Sequence, residues 1–339
     1  MTDLNRSNIL VTGGAGFIGS HLCEKLLENP RNNVICVDNF LTSSVRNIQP
    51  FLKNPNFQFL RFDVTEPFDL ETFSELGQFQ VKFKGVQEIY HMACPTAIKD
   101  FDKHKIATLR ANSIGTIRVL DMAVKYKAKV LLASTSVVYG ERNASKLFKE
   151  DETGNIDHLS PRACYDEGKR FAETIFETYK QVHGLDTKIA RVFRTYGPKM
   201  PLFDGHLIPD FILNALENKS LVIYGKESFR TSLIYVDDVV DGLIRLMKAQ
   251  EDVGPVNIGS DADLLMSDVA KKIIEMTGSS SQIVFDKPLP FLTELGLPDT
   301  RKAKDALGWI PLVRLEYGLQ KTIEYIEANK ILLTSNSVL

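Results

Sequence analysis

The sequence predicts a doubly wound α/β fold, in which helices cover both faces of a parallel β-sheet. In the first half of the chain, short apolar runs alternate with longer amphipathic segments. Parallel strands need helical crossovers and are buried on both faces, so this alternation is typical of such a sheet. A glycine-rich turn also lies between the first apolar run and the first amphipathic segment. Together, the two features predict a sheet whose first crossover begins with a tight backbone turn.

The predicted elements follow this pattern along the chain. Six apolar runs are short enough to be buried strands, and amphipathic segments between most of them have the length of helices. The strands are expected over residues 8–12, 33–37, 57–62, 88–91, 130–134 and 187–192, and the helices over 16–29, 105–127 and 164–183.

The chain after Gly197 has a different composition, because proline and glycine become frequent and the elements are shorter. Its 339 residues also exceed the roughly 250–300 residues at which single cores stop growing. We therefore expect a larger domain over residues 1–197 and a smaller, mixed α/β substrate lobe over 198–330, partly interleaved with the first. The lobe is expected to contain helices over 208–217, 236–249, 266–277 and 316–328, and strands over 221–224 and 256–258.

The composition excludes several classes of function. The net charge of −2 gives no general attraction to nucleic acid or to an anionic membrane. The 4 cysteines are too few for a disulfide scaffold and form no C-x-x-C pair, so reduced thiols and a cytoplasmic location are expected. The first residues do not resemble a signal peptide, and no apolar run approaches roughly 18 residues. The 6 histidines lack the spacing of metal ligands, so no metal site is expected.

The glycine-rich turn indicates a dinucleotide site. Gly13, Gly16 and Gly19 have the spacing G-x-x-G-x-x-G between a predicted strand and a predicted helix. Such a turn lets backbone N–H groups approach a pyrophosphate at the start of the helix. The second strand ends at Asp38, about 20 residues further on, where a carboxylate accepts the ribose hydroxyls and repels a 2′-phosphate. The sequence therefore predicts a Rossmann domain that binds NAD rather than NADP.

Tyr165 and Lys169 form a Y-x-x-x-K pair at the start of a predicted helix, one turn apart on one face. A phenol with a pKa of about 10 is a poor base at neutral pH. A neighbouring ammonium and a positively charged nicotinamide ring both stabilise the phenolate. Thr135, at the end of the fifth strand, can hydrogen-bond a reacting hydroxyl and direct it towards Tyr165. The sequence therefore predicts an enzyme with Thr135, Tyr165 and Lys169 as its catalytic residues.

The predicted cofactor site combines these features with the ends of the neighbouring strands. Asp63 follows the third strand and can accept a hydrogen bond from the adenine amine, although its position alone equally fits a turn that ends the strand. The predicted cofactor-binding residues are Gly13, Gly16, Phe17, Ile18, Asp38, Asn39, Asp63, Val64, Ala93, Tyr165 and Lys169.

The motifs at these positions extend beyond the single residues. They read ILVTGGAGFIGSHL, VDNF, LLASTS, SPRACYDEGKR and RKAKDALGW. At these residues the sequence resembles the extended short-chain dehydrogenase/reductase family, in particular its NAD-dependent nucleotide-sugar epimerases, dehydratases and decarboxylases. SPRACYDEGKR is the most specific, because it matches the UDP-glucuronate decarboxylase (UDP-xylose synthase) subgroup over its whole length.

The resemblance implies a bound NAD that is reduced and reoxidised within one catalytic cycle. Tyr165 would take the proton of the sugar 4-hydroxyl while hydride leaves C4. In the decarboxylases, the resulting 4-keto acid loses carbon dioxide and the product is reduced again. The resemblance also implies a homodimer, with residues 105–127 and the helix of Tyr165 forming a four-helix interface.

Four positions depart from the family pattern where the substrate should bind. Val137 replaces the glutamate of S-T-S-E-V-Y-G, and Arg194 replaces the asparagine after the sixth strand. Thr231 stands where the family has an arginine, with Arg230 beside it, and no arginine occurs around Gly296. One interpretation is that Arg194 and Arg230 are substrate-binding residues that clamp the diphosphate from new positions. The alternative is that both are solvated surface residues and that the pocket has diverged.

The function predicted on these grounds is a nucleotide-diphosphate-sugar enzyme that oxidises the 4-hydroxyl, with UDP-glucuronate decarboxylation as the best single activity. A 4-epimerase is the first alternative, because epimerases commonly lack the glutamate that Val137 replaces. A 4-dehydrogenase or dehydratase that stops at the 4-keto sugar is another. A non-enzymatic NAD-binding protein is disfavoured because Tyr165 and Lys169 are both present. Cys94 and Cys164 are expected to be small pocket residues rather than catalytic thiols.

Overall fold

The structure, a computed structural model, describes residues 6–96, 101–142, 147–289 and 295–334, with side chains described as far as Ile331. In chain order the strands are β1 (Ser7–Thr12), β2 (Asn32–Asp38), β3 (Phe57–Arg61), β4 (Glu88–His91), β5 (Lys129–Thr135), β6 (Leu147–Phe148), β7 (Thr187–Val192), β8 (Thr195–Tyr196), β9 (Leu221–Tyr224), β10 (Arg230–Thr231), β11 (Ile234–Tyr235), β12 (Pro255–Ile258), β13 (Leu264–Leu265), β14 (Ile283–Asp286) and β15 (Leu297–Pro298).

The helices are α1 (Phe17–Leu27), α2 (Val81–Lys84), α3 (Phe101–Arg110), α4 (Thr116–Tyr126), α5 (Ala163–His183), α6 (Leu207–Leu216), α7 (Val236–Lys248), α8 (Met266–Thr277), α9 (Arg301–Leu307) and α10 (Leu315–Thr334). Within the described ranges, none of them combines the length and the apolar character needed to cross a membrane.

Seven strands form one sheet in the order β12-β7-β5-β4-β1-β2-β3, and every neighbouring pair is parallel. From β1 the chain goes outward to β2 and β3 on one side, and then returns to β4 on the other. The strand order therefore reverses between β1 and β4. In doubly wound sheets, ligands bind in the crevice at the carboxyl ends of the strands beside such a reversal. The predicted fold class is confirmed.

Both faces of the sheet are buried, as a parallel sheet requires. On β1, Ile9 and Val11 belong to a hydrophobic cluster shared with α1 and α7, whereas Leu10 between them belongs to a second cluster shared with α4 and α5. Side chains alternate between the two faces of a strand, so a continuous apolar run supplies both clusters. Burying each such side chain fully is worth roughly 1.5–3 kcal/mol.

The predicted helix over 105–127 is interrupted in the structure. It consists of α3 and α4, joined by a π-helical turn over Ala111–Gly115. Asn112 is buried within that turn, and its Nδ2 donates to the carbonyl oxygen of Thr108 at 3.0 Å. A π turn inserts one residue into an otherwise regular helix. The amphipathic pattern on each side remains helical, so the pattern alone does not reveal the inserted residue.

The chain after β8 contributes both to the main sheet and to smaller pairs of strands. β12 pairs with β7 at the edge of the sheet, and α7 packs against β5, β7 and β12. β9 pairs with β14, β8 with β11 and β6 with β15, all in parallel, whereas β10 and β13 are antiparallel. The division into a cofactor domain over 1–197 and a substrate lobe over 198–330 stays a prediction.

Candidate active site

The carboxyl ends of the sheet strands open into a cavity of about 390 Å³. Its wall includes residues that follow β1, β2, β3, β4, β5 and β7, together with the first turn of α6. It therefore lies at the place where an open α/β sheet binds its ligands. Of the predicted site residues, only Arg230 is not part of the wall. The predicted residues that line the cavity are Gly13, Gly16, Phe17, Ile18, Asp38, Asn39, Asp63, Val64, Ala93, Thr135, Tyr165, Lys169 and Arg194.

The turn between β1 and α1 approaches the backbone after β4 very closely. Gly13 has a φ of +70°, and a Cβ atom built on it would lie 2.7 Å from the backbone nitrogen of Ala93. Only glycine allows both this conformation and this approach. Because α1 begins at Phe17, the turn leads the chain along the cavity to the start of the helix. The glycine turn and the start of α1 therefore fit the pyrophosphate of a dinucleotide.

Asp38, at the end of β2, connects the glycine turn with the loop that follows β2. Its Oδ2 accepts from the backbone N–H of Ala15 at 3.0 Å. Its Oδ1 accepts from the N–H of Phe40 at 2.9 Å and from the hydroxyl of Ser43 at 2.7 Å. A carboxylate has about four lone-pair sites, so these bonds orient the group and leave capacity for a ribose hydroxyl. The carboxylate therefore fits the expected NAD.

Asp63 lies on the same side of the cavity. Its Oδ2 accepts from Nδ2 of Asn39 at 2.9 Å, and its Oδ1 accepts from the N–H and the hydroxyl of Thr65, both at 2.8 Å. Partial burial opposes ionisation, but the bonds from Thr65 and Asn39 outweigh it and hold the pKa of Asp63 below its ordinary value. An ionised acceptor in the cavity wall is suited to an adenine amine.

The predicted catalytic side chains meet where β5 ends and α5 begins. Lys169 is buried, and its Nζ donates to the carbonyl oxygen of Ala133 at 2.9 Å. Burial raises the pKa of Tyr165 above its ordinary value, whereas its hydrogen bond with Thr135 lowers it. An added positive charge beside the ring, such as oxidised nicotinamide, favours the phenolate. Tyr165 is therefore a buried phenol whose ionisation is opposed by burial and favoured by its hydrogen bond with Thr135.

Arg162 is a cation of this site to which the sequence analysis gave no role. Its guanidinium carbon lies 5.1 Å from the centre of the Tyr165 ring, and its charge lowers the pKa of Tyr165. Nε of Arg162 also donates to Oδ1 of Asp166 at 2.8 Å. The motif SPRACYDEGKR could have predicted this contact, because Arg162 and Tyr165 are three residues apart at the start of a helix and such residues are neighbours.

Arg194 follows β7 and lies in the cavity wall near Arg162. Burial, together with the charge of Arg162, lowers the pKa of Arg194 to about 10. The group remains charged at neutral pH, and its guanidinium carbon lies 5.8 Å from the ring centre of Phe229. Two nearby cations in a partly desolvated wall repel each other, and an anion between them would relieve that repulsion.

Arg230 lies outside this wall, on β10. Its side chain is exposed, its Nε donates to Oδ2 of Asp263 at 3.0 Å, and its Nη2 donates to the carbonyl oxygen of Asp263 at 2.7 Å. Arg142 donates to both carboxylate oxygens of the same Asp263, at 3.0 and 2.8 Å. A substrate anion would therefore compete with Asp263 for Arg230.

The other three departures from the family pattern bring no polar side chain into the cavity wall, and Thr231 is fully buried outside it. Val137, in a short turn after β5, is 2% exposed and lines the cavity. A Cβ atom on Gly296 would lie 2.6 Å from Cδ2 of Phe148. The ring of Phe148 is stacked on Tyr139, with 4.9 Å between centroids and 9° between planes. No larger residue fits at Gly296 unless this stack is displaced.

One wall of the cavity was missed by the sequence analysis. It is formed by the loop before α6 and the first turn of that helix. The loop contains residues with positive φ, among them Lys199 and Phe203, and Nδ1 of His206 pairs with Asp204 at 2.6 Å. No local motif marks this wall, because its position depends on the path of the whole loop. The missed wall residues are Met200, Pro201, Gly205, His206, Leu207 and Ile208.

Cys94 lines the cavity, and its sulfur accepts from Nδ2 of Asn112 at 3.2 Å. Cys164 is half-buried beside Tyr165, and burial raises the pKa of its thiol. Thiols with a raised pKa are weak nucleophiles. In the part of the chain that the structure describes, no three His, Cys, Asp or Glu side chains are grouped as they would be around a metal ion.

The chain is similar to proteins of known activity over most of its length. Residues 9–259 match the model of the NAD dependent epimerase/dehydratase family. UDP-glucuronic acid decarboxylase 5 of Arabidopsis thaliana is 40% identical over 311 residues, which cover 92% of this chain and 86% of that protein.

Two solved structures share the fold. UDP-glucuronic acid 4-epimerase from Bacillus cereus, in complex with UDP-glucuronic acid and NAD, matches with a TM-score of 0.82 and 28% identity, covering 95% of this chain and 99% of that one. dTDP-glucose 4,6-dehydratase from Bacillus anthracis, in complex with NAD, matches with a TM-score of 0.81 and 26% identity, covering 96% of this chain and 98% of that one.

Proposed function

Because the chain belongs to the NAD dependent epimerase/dehydratase family, we propose that it oxidises the 4-hydroxyl of a UDP-linked sugar and that its activity is UDP-glucuronate decarboxylation. One observation carries the proposal, namely that Thr135, Tyr165 and Lys169 line one cavity together with the glycine turn. The similarity to UDP-glucuronic acid decarboxylases over most of the chain supports the same activity. The cofactor is NAD.

The first step is the removal of two hydrogens from the sugar. When bound, NAD accepts hydride from C4 and later returns it. The phenol oxygen of Tyr165, as phenolate, takes the proton of the 4-hydroxyl. Thr135, which hydrogen-bonds Tyr165, holds that hydroxyl in place. Lys169 and Arg162 supply the positive charge that favours the phenolate.

The second step follows from the chemistry of the oxidised sugar. A ketone at C4 makes the carboxylate at C5 a β-keto acid, which loses carbon dioxide as its C–C electron pair passes into the enolate. Solvent supplies a proton to C5, and the return of hydride to C4 and of the Tyr165 proton to O4 would complete the product. We propose that Arg194, near Arg162, binds the diphosphate or the sugar carboxylate, since charge-assisted hydrogen bonds to arginine suit both anions. Arg230 would be a second contact, reached when the substrate displaces Asp263.

A 4-epimerase is the second candidate, and Val137 favours it. Val137 is buried where the decarboxylases have a glutamate, and an isopropyl group cannot transfer a proton. Epimerisation needs only oxidation, rotation of the keto intermediate and return of hydride to its other face. It therefore needs no group at this position.

A panel of nucleotide sugars separates the candidates. The purified protein is incubated with UDP-glucuronate, UDP-glucose and UDP-galactose, and the products are analysed by mass spectrometry and NMR. Loss of carbon dioxide from UDP-glucuronate supports the decarboxylase. Unchanged mass with an inverted C4 supports the epimerase, and loss of water or of two hydrogens supports a dehydratase or a dehydrogenase. No turnover of any member would contradict the proposed function.

We further propose that the protein is a homodimer in the cytoplasm. The π turn and the helices α3, α4 and α5 expose large apolar side chains, which a four-helix interface would cover. The four cysteines are free, as expected in a reducing compartment. The exposed apolar residues are Ile106, Leu109, Ile114, Ile117 and Phe171.

Light scattering tests the dimer. Ile106→Asp, at a side chain that is 70% exposed, should convert the protein to a monomer. Phe83→Asp, at a side chain that is 86% exposed on α2, is the control and should leave the mass unchanged. A monomeric unaltered protein would contradict the proposal.

A further inference from the structure

A buried ion pair lies behind the catalytic residues, outside the cavity wall. Nε of Arg191, on β7, donates to Oε1 of Glu173 at 3.0 Å, and its Nη2 donates to Oε2 at 2.8 Å. The two side chains are only 11% and 13% exposed. A bidentate pair of this kind sets the orientation of both partners.

Glu173 connects α5 to the strand that carries Thr135. The hydroxyl of Ser134 donates to Oε1 of Glu173 at 2.5 Å. One turn earlier on α5, Nζ of Lys169 donates to the carbonyl oxygen of Ala133 at 2.9 Å. Two successive turns of the helix are thus bonded to two successive residues of β5. These bonds determine where the first turn of α5 lies relative to Thr135.

Arg191 anchors the other side of the pair. Its Nη1 donates to the hydroxyl of Tyr139 at 2.9 Å and to the carbonyl oxygen of Glu150 at 3.0 Å. The Tyr139 hydroxyl in turn donates to Oδ1 of Asn257, on β12, at 2.7 Å. The cluster therefore joins β5, α5, β7 and β12. Removing one of the two charges leaves the other buried without its partner, which is destabilising. We expect the surrounding elements to move in response.

We propose that Glu173 and Arg191 are positioning residues, which hold α5 in the register that places Tyr165 and Lys169 against Thr135. Neither residue touches the reacting groups, and both act through the helix. The inference rests on the catalytic roles proposed above. It gives a role to a charged pair in the interior, where apolar residues of similar volume are often as stable.

The test is Glu173→Gln in the full-length protein with bound NAD. We expect kcat to fall about tenfold or more, since small displacements of a catalytic base are costly, while KM for UDP-glucuronate stays within about twofold. In a plot of kcat against pH, the acidic limb should also move to higher pH. The titratable groups that act on the pKa of Tyr165 are Arg162, Asp166 and Cys94, and Lys169 lies one turn further along α5. Displacing the phenol from the two cations raises its pKa, so more alkaline solution is needed for the phenolate.

Asp252→Asn is the matched control. It removes an ion pair of the same helix, with Lys180, at the end far from Tyr165, and should leave kcat and the pH limb unchanged. Arg191→Lys keeps the charge but loses the bidentate geometry, and should shift both quantities less and in the same direction. It also serves as the test if Glu173→Gln does not fold.

Three outcomes would overturn the inference. The first is a folded Glu173→Gln protein with the kcat and pH limb of the unaltered enzyme. The second is an equal shift in Asp252→Asn. Tyr165→Phe, assayed in parallel, provides the third. If that variant remains active, the proposed catalytic roles fail and the positioning role fails with them, whereas an inactive Tyr165→Phe beside a normal Glu173→Gln refutes the positioning role alone.

Discussion

The guanidinium of Arg162 lies over the ring of Tyr165, with 5.1 Å between its central carbon and the ring centre. Both residues line the cavity, and Asp166 holds Nε of the arginine at 2.8 Å. The positive charge lowers the pKa of the phenol while burial raises it. Burial and the charge of Arg162 therefore act on the pKa of Tyr165 in opposite directions.

Tyr165→Phe should abolish oxidation and leave the fold and NAD binding nearly intact, because only the phenol oxygen can act as base and the ring still packs. Removing general base catalysis typically lowers the rate about 10²–10⁴-fold. The appearance of reduced NAD on mixing with UDP-glucuronate measures the step, and the NAD content of the purified variant is the control. A variant that keeps more than about a tenth of the rate would show that Tyr165 is not the base.

Arg162→Met should move the acidic limb of the oxidation rate to higher pH. Without the cation the phenolate is less stable, so the pKa of Tyr165 rises and a smaller fraction is ionised at neutral pH. The rate is measured from about pH 6 to pH 11, a range that extends past the ordinary Tyr pKa of about 10. Arg162→Lys, which keeps the charge, should shift the limb less. The same limb in Arg162→Met and the unaltered protein would exclude an electrostatic role.

Asp38→Ala combined with Asn39→Arg should raise the affinity for NADP relative to NAD. The change removes a carboxylate that repels the 2′-phosphate and adds a cation that attracts it. The ratio of the two dissociation constants, from fluorescence titration, is the measurement. Asp38→Ala alone separates this effect from the loss of the bonds to Ala15, Phe40 and Ser43. An unchanged ratio would mean that Asp38 does not contact the ribose.

Arg194→Ala should weaken the binding of UDP about 10- to 150-fold, which corresponds to one charge-assisted hydrogen bond of roughly 1.5–3 kcal/mol. NAD affinity should barely change. Arg230→Ala should have a smaller effect, since Asp263 already holds Arg230 on the surface. Calorimetric titration of both variants measures these affinities. The relocated diphosphate clamp is wrong if both bind UDP like the unaltered protein.

Gly296→Ala should lower the free energy of unfolding by about 1–3 kcal/mol, the usual cost of overpacking a filled site. The added methyl group would strike Phe148, which Tyr139 prevents from moving freely. Urea unfolding measures the change. Gly77→Ala is the control, because a Cβ atom there has no neighbour within 4 Å. Equal stability of Gly296→Ala and the unaltered protein would mean that Phe148 yields at no cost.

The predicted site residues that lie together in the cavity wall depend on short stretches of chain. Gly13, Gly16 and Asp38 belong to adjacent elements of one crossover. Tyr165 and Lys169 share one helix face, so their spacing in sequence already determines their neighbourhood. The strands β4 and β7 begin and end at the predicted residues, because an apolar run in a parallel sheet has clear limits.

The parts that escaped prediction depend on contacts between distant segments. The contact of Arg230 with Asp263 was not predicted, because Asp263 is 33 residues away and reaches Arg230 through the antiparallel pairing of β10 with β13. The close approach of Gly296 to the ring of Phe148 likewise depends on the pairing of β15 with β6. No local pattern encodes such pairings, since they result from the packing of the whole second half of the chain.

The π turn between α3 and α4 determines which face of α4 packs against the sheet, and it does so through the number of its residues. Successive residues of an α-helix are rotated by about 100°, so deletion of one residue from Ala111–Gly115 would turn α4 by that angle relative to α3. Val119 and Leu120, fully buried on α4, would then leave the sheet. Substitutions in this segment change local contacts, whereas an insertion or a deletion would rotate all of α4 about its axis relative to α3. Among members of this family, we therefore expect the residues of the turn to vary while its length stays constant.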